Sequence, residues 1–213
     1  MIKTTSLIFV FLFLVSCGKS GGGGDSSSSK GDAVSLSELT DSSPVPSAAQ
    51  NFDVNVKLNN FSSTQEDKIL AASDLIKKVV ASEEFKSSIL NYSYNGKKAF
   101  VDNDGLSNAA VYKKIIEGSE YLRPGIDNEM DLDLVVYTAN NVVVGYTMPN
   151  ELKVWMNGKF FNKNSPAQVT ANMMHEWLHK LGFKHAQSST ASRPYSVPYA
   201  VGYLVARLAQ KYN

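Results

Sequence analysis

The chain has 213 residues, 43% of them apolar and 19% charged, with a formal net charge of +1. This composition suits a folded domain with a substantial core and not a disordered chain. The near-zero charge, with no basic run interleaved with aromatics, argues against a nucleic-acid partner. The single cysteine, Cys17, rules out a disulfide framework.

Residues 1–16 have the layout of a secretory signal peptide, with Lys3 at the start and an apolar run from Leu7 to Val15. That run is shorter than the roughly 20 residues a membrane-spanning helix needs. Leu14-Val15-Ser16-Cys17 is similar to a bacterial lipobox. The similarity implies lipidation of Cys17 and a membrane anchor in the bacterial cell envelope. Gly18 in place of Asp after the cysteine points to the outer rather than the inner membrane. Residues 17–48, rich in Ser and Gly, read as a flexible tether that buries too little apolar area to offset its chain entropy. Residues 49–213 are then one domain, expected to be a monomer.

Phe52, Val54, Val56 and Leu58 alternate with polar residues, which predicts a first strand. Ser63 and Glu66 form a capping-box pattern opening a helix to about Ala81, with Ile69, Ala72, Ile76 and Val80 at helical spacing. A second helix follows from Ser82. Asn95-Gly96 is a turn signal, and Ala99 to Val101 a short strand. Ser107 caps a helix from Asn108 to Glu117 that stops at Gly118. Leu132, Leu134 and Val136 predict a strand, as does Val142 to Thr147. Leu152 to Met156, Asn157-Gly158 and Lys159 to Asn162 read as a hairpin. Ser165 and Pro166 open a helix in which Val169, Met173, Met174, Trp177, Leu178 and Leu181 are core contacts. A last helix starts at Pro198, its stripe of Val201, Leu204, Val205 and Leu208 closing the core. The fold class is α+β, with a mixed sheet and long helices.

The chemistry lies in His175-Glu176-Trp177-Leu178-His179-Lys180-Leu181-Gly182-Phe183-Lys184-His185, which holds all three histidines of the chain. His175 and His179, four apart on a helix, project from one face. Gly182 can take the left-handed conformation that ends the helix and returns the chain toward a third ligand, His185. Three imidazoles and an open fourth position are what a catalytic zinc requires, and Glu176 stands beside the first ligand as a general base. No Asp, Glu or Cys occurs from Trp177 onward, so His185 is the conventional downstream ligand.

This H-E-x-x-H-x-x-G-x-x-H pattern resembles the extended zinc motif of the metzincin metallopeptidases at every fixed position. The resemblance implies one catalytic Zn2+ on His175, His179 and His185, with Glu176 as base. It also implies a zincin domain with the active-site helix below the sheet and a short C-terminal subdomain. Tyr199 lies where related enzymes place a tyrosine near the zinc, a candidate oxyanion stabiliser. One departure is plain: no methionine follows Met174, so Arg193 to Tyr199 stands where the metzincin Met-turn would fall, with Val197 or Pro198 as a candidate apolar floor.

The expected function is zinc-dependent endopeptidase action on a protein or peptide, bound extended along the Val142 to Thr147 strand, where Gly145 permits close approach. Hydrolysis of peptidoglycan cross-links by the same chemistry is an alternative, as is a non-catalytic zinc-binding envelope lipoprotein. The carboxylate-rich loops Asp102 to Gly105 and Asp127 to Asp133 are candidate calcium sites as well as ordinary exposed turns. Lys180, Lys184, Arg193, Arg207 and Lys211 read as a solvated basic face.

Overall fold

The computed structural model describes residues 47–49 and 51–212. The expected signal peptide, the lipidation site Cys17 and the tether up to residue 46 lie outside them. Ser47 and Ala48, at the end of that tether, already belong to the folded unit. Ala48 is buried, and the Ser47 carbonyl accepts a hydrogen bond from the Tyr112 hydroxyl at 3.3 Å. Among the described residues no helix is long and apolar enough to cross a membrane.

Strand β1 (Asp53–Asn59) points Val54, Val56 and Leu58 inward and leads to helix α1 (Ser63–Val80). The capping box sits one residue earlier than expected. Ser62 is the N-cap, and its backbone N–H donates to Gln65 Oε1 at 2.9 Å. Ser62-Gln65 and Ser63-Glu66 carry the same pattern, and the helix uses the first. Helices α2 (Glu83–Leu90) and α3 (Asn108–Glu117) follow, capped by Ser82 and Ser107 as their sequences suggest.

Strands β2 (Glu129–Tyr137), β3 (Gly145–Thr147) and β4 (Lys153–Asn157) complete a four-stranded mixed sheet of order β1-β2-β4-β3. β1, β2 and β4 run parallel, and β3 lies antiparallel to β4 at the edge. Helix α4 (Gly158–Phe161) then leads to α5 (Pro166–Lys180), opened by Ser165 and Pro166 as expected, and α6 (Val197–Ala209) closes the fold. One apolar cluster joins Ile69 and Ile76 of α1, Leu132 and Leu134 of β2, Trp177 of α5 and Val201 of α6. The architecture is consistent with the expected α+β class.

Three local readings are corrected. Lys159 to Asn162 is not a hairpin strand, because Asn157 starts a helix instead of a turn. Its buried side chain accepts from Lys159 N–H at 3.1 Å and donates to the carbonyls of Ala139 and Val143 at 3.1 and 3.0 Å. The antiparallel partner of β4 is therefore β3. Of the expected strand Val142 to Thr147, only the last residues pair. Ala99 to Val101 is not a strand either: Val101 forms a single parallel bridge to Ser196.

Glu120 carries no sequence signal, yet it is fully buried. Its Oε1 accepts from the Trp177 indole at 2.6 Å and from Asp131 N–H at 3.0 Å, tying α5 to β2. Burial raises its pKa above the ordinary value of 4.5, against the pull of those donors. An acid raised in this way contributes most stability below its unfolded pKa and loses it as pH climbs through the folded value. Glu120→Gln keeps an accepting oxygen and cannot ionise. Its stability relative to the parent, from urea unfolding, is expected to improve as pH rises above the ordinary carboxylate range. Glu120→Ala strands both donors and is expected to cost about 2–4 kcal/mol.

Candidate metal centre

The metal-binding pattern converges in space. Helix α5 places His175 and His179 one turn apart, with ring centroids 5.0 Å from each other. The helix ends at Leu181, and Gly182 turns the chain at φ +97°, a conformation that side chains beyond glycine rarely adopt. Gly182 N–H bonds His179 O and Phe183 N–H bonds Leu178 O, each at 3.1 Å, so the helix end is hydrogen-bonded and the turn is rigid. His185 thereby comes back to within 5.2 Å of the His175 ring and 4.9 Å of the His179 ring. One ligand nitrogen from each of His175, His179 and His185 lies within 4.8 Å of the others.

The outer nitrogens explain the inner ones. His179 Nδ1 meets the Phe183 carbonyl at 2.7 Å, and His185 Nδ1 meets the Ala186 carbonyl at 3.0 Å. The Pro198 backbone lies near His175 and works against the effect of burial on its pKa. A carbonyl can only accept, so the His179 and His185 rings carry their protons on the bonded nitrogens and present a lone pair from the other. His175 Nε2 and His185 Nε2 stand 3.3 Å apart. At that distance a protonated His175 Nε2 donates to the His185 lone pair, and a deprotonated one leaves both nitrogens facing a point where a cation would sit. Two nitrogens bound to a tetrahedral zinc at 2.0–2.1 Å would be about 3.3–3.4 Å apart. The donor set therefore fits a zinc ion.

Burial keeps the imidazoles neutral, as a ligand must be. It holds His175 well below its usual range, pushes His179 down to about 4 and lowers His185. Glu176 is buried beside them. Burial raises its pKa to about 8, and Lys180 draws it back. Its Oε1 has no hydrogen-bond partner among the described residues.

No known protein family, curated protein or solved structure matches the chain. The site is read on its own geometry.

Tyr199 packs against the centre, its ring 4.5 Å from His175 and 4.9 Å from His185. Val197 and Pro198 are buried next to it in the first turn of α6. The outer edge of β3 carries no paired strand among the described residues, but Gly145 has a different reason to be glycine. A Cβ there would meet the Asn172 side chain of α5 at 2.7 Å, so its absence admits the helix that carries His175 and His179 and is already used up by it.

Two expected surface cations are not on the surface. Lys180 is 5% exposed and donates to the carbonyls of Met148 and Glu151, fastening α5 to the segment after β3. Arg193 is also buried, at 6%. Of the two carboxylate-rich loops, the first turns on Asn103, whose side chain bonds Leu106 O and Gly105 N–H. The second brings carboxylates of Asp127, Glu129 and Asp131 together, with Arg123 neutralising Asp131 at 3.0 Å and Asn55 bonding it at 2.9 Å.

His185→Ala is expected to weaken zinc binding by more than the roughly 10–100-fold that loss of an outer-shell partner costs. Titration against a chromophoric chelator measures it. Parent-like affinity would remove His185 from the ligand set.

Proposed function

We propose that this chain is a zinc-dependent metalloendopeptidase with a metzincin-like site. The observation that carries the reading is the convergence of one ring nitrogen each from His175, His179 and His185 and a buried carboxylate, Glu176, next in sequence to the first of them.

Zinc held by three neutral imidazoles would keep its full charge and would supply Lewis-acid chemistry toward a carbonyl and a water near neutral pH. His175, His179 and His185 would supply that site, and the carbonyls of Phe183 and Ala186 hold the tautomers of His179 and His185. Glu176 takes a proton from the attacking water and passes it to the leaving nitrogen of the peptide bond. Its place beside the first histidine suits it to hold that proton between the two events. The Tyr199 hydroxyl donates to the carbonyl oxygen as negative charge develops there. An extended peptide pairs its backbone with the free edge of β3, one turn of α5 away from Glu176 through the Gly145–Asn172 contact. A lipid on Cys17 would hold this hydrolase at a bacterial envelope membrane.

The test is digestion of a proteome-derived peptide library with mass-spectrometric readout, with and without a chelator. Chelator-sensitive cleavage inside peptides is expected. Cleavage confined to cell-wall cross-links would point to the narrower amide substrate, and no cleavage of either would leave a binding protein. Glu176→Ala is expected to retain one equivalent of zinc while losing turnover by about 100-fold or more. Tyr199→Phe is expected to lower kcat with little change in KM. Turnover equal to the parent's would remove the hydroxyl from the reaction.

A further inference from the structure

Against the rings of His175 and His185 the chain places a tyrosine, itself backed by an arginine. The Tyr199 ring lies 4.5 Å from the His175 ring at 73° and 4.9 Å from the His185 ring at 51°. Arg193 Cζ stands 5.1 Å from the centroid of that same tyrosine ring. Both residues are buried, Tyr199 at 4% exposure and Arg193 at 6%. The backbone of Arg193 is held as well. Its N–H donates to Thr190 Oγ1 at 3.1 Å, and its carbonyl accepts from Ser196 Oγ at 2.8 Å. Ser196 in turn bridges to Val101. The guanidinium is thus delivered to Tyr199 by a short, closed turn.

We propose that Arg193 is a positioning residue of the metal centre, clamping the Tyr199 ring on which His175 and His185 rest. The inference depends on the metal-centre reading above and adds to it. A carbonyl bond at one nitrogen fixes an imidazole's tautomer but leaves the ring free to rock about that bond. A flat ring packed against the imidazole removes this freedom. A cation within about 6 Å of an aromatic centroid is attracted by the ring's quadrupole, more strongly when water is excluded, so the guanidinium holds the tyrosine in turn.

Coulomb's law gives the arrangement its sign test. A buried cation near a dication repels it, and the field of Arg193 reaches all three imidazoles. If charge alone mattered, removing Arg193 would tighten metal binding. If positioning dominates, removing it weakens binding.

Zinc affinity of the full chain, measured by chelator competition, decides between them. Tyr199→Phe keeps the ring and is expected to bind zinc within about twofold of the parent. Tyr199→Leu and Arg193→Met are each expected to weaken binding by about 10-fold or more. The double variant should bind no more weakly than Tyr199→Leu alone, because the arginine acts through the ring. Arg193→Lys keeps a cation at the ring and is expected to recover part of the loss; it also serves as the test if the methionine form does not fold, as judged by circular dichroism. In the cobalt-substituted protein, the visible absorption of Arg193→Met should differ from the parent and that of Arg193→Lys should lie nearer to it. Unchanged or tighter zinc binding by Arg193→Met, or additive losses in the double variant, would overturn the clamp while leaving the hydrolase intact. A parent chain that binds no zinc would overturn both.

Discussion

Two of the three imidazoles in this protein are fastened at Nδ1 by a backbone carbonyl, and this turns their other nitrogens toward His175. The carbonyls belong to Phe183, just past the helix end, and to Ala186, beside His185. Backbone is a firmer support than a second side chain, since it loses no rotamer freedom on ordering. It also ties the site to the fold. His175 packs on the Tyr199 ring of α6, and His179 keeps its orientation only while the turn at Gly182 is closed.

Packing beyond the site serves that constraint. A Cβ on Gly202 would meet the Ala171 carbonyl at 2.9 Å and the His175 Cβ at 3.6 Å, so α6 approaches α5 at backbone distance beside the first ligand. On the opposite side, Trp177 is anchored by Glu120 and packs edge-on against Phe52 at 5.9 Å. Lys180 closes the third side through the carbonyls of Met148 and Glu151. Helix α5 is therefore fixed from α6, from the sheet and from the loop after β3. An error of a few tenths of an ångström in any of these would be transmitted to the ring nitrogens, because interiors packed at crystal density yield little.

What could be read along the chain was local chemistry with a short period. The spacing of His175, Glu176, His179, Gly182 and His185 needs one helical turn and one left-handed residue, and both are visible in the letters. The caps at Ser82, Ser107 and Ser165 are similarly local. Asn157-Gly158 shows where local reading fails: the pair is a turn signal in isolation, but burial of the Asn157 amide among distant carbonyls made it a helix cap. Gly145 looked like room for a substrate and is room for Asn172. Lys180 and Arg193 looked like solvated charges because nothing in a sequence tells how deep a turn lies. Glu120 had no pattern at all, since its partners Asp131 and Trp177 are brought to it by the sheet and by α5.

Those hidden charges share a physical logic. Removing a single charge from water costs several kcal/mol after relaxation, so each must have a local reason to stay. Lys180 is met by carbonyls and by the nearby charge of Glu176, Arg193 has an aromatic face among its contacts, and Glu120 is met by an indole and a backbone amide. As built, Glu176 is the buried carboxylate next to the ligands and its Oε1 stays unengaged among the described residues. The surroundings exclude water while leaving that one basic atom available, and the same exclusion strengthens every electrostatic interaction a reacting group would feel there.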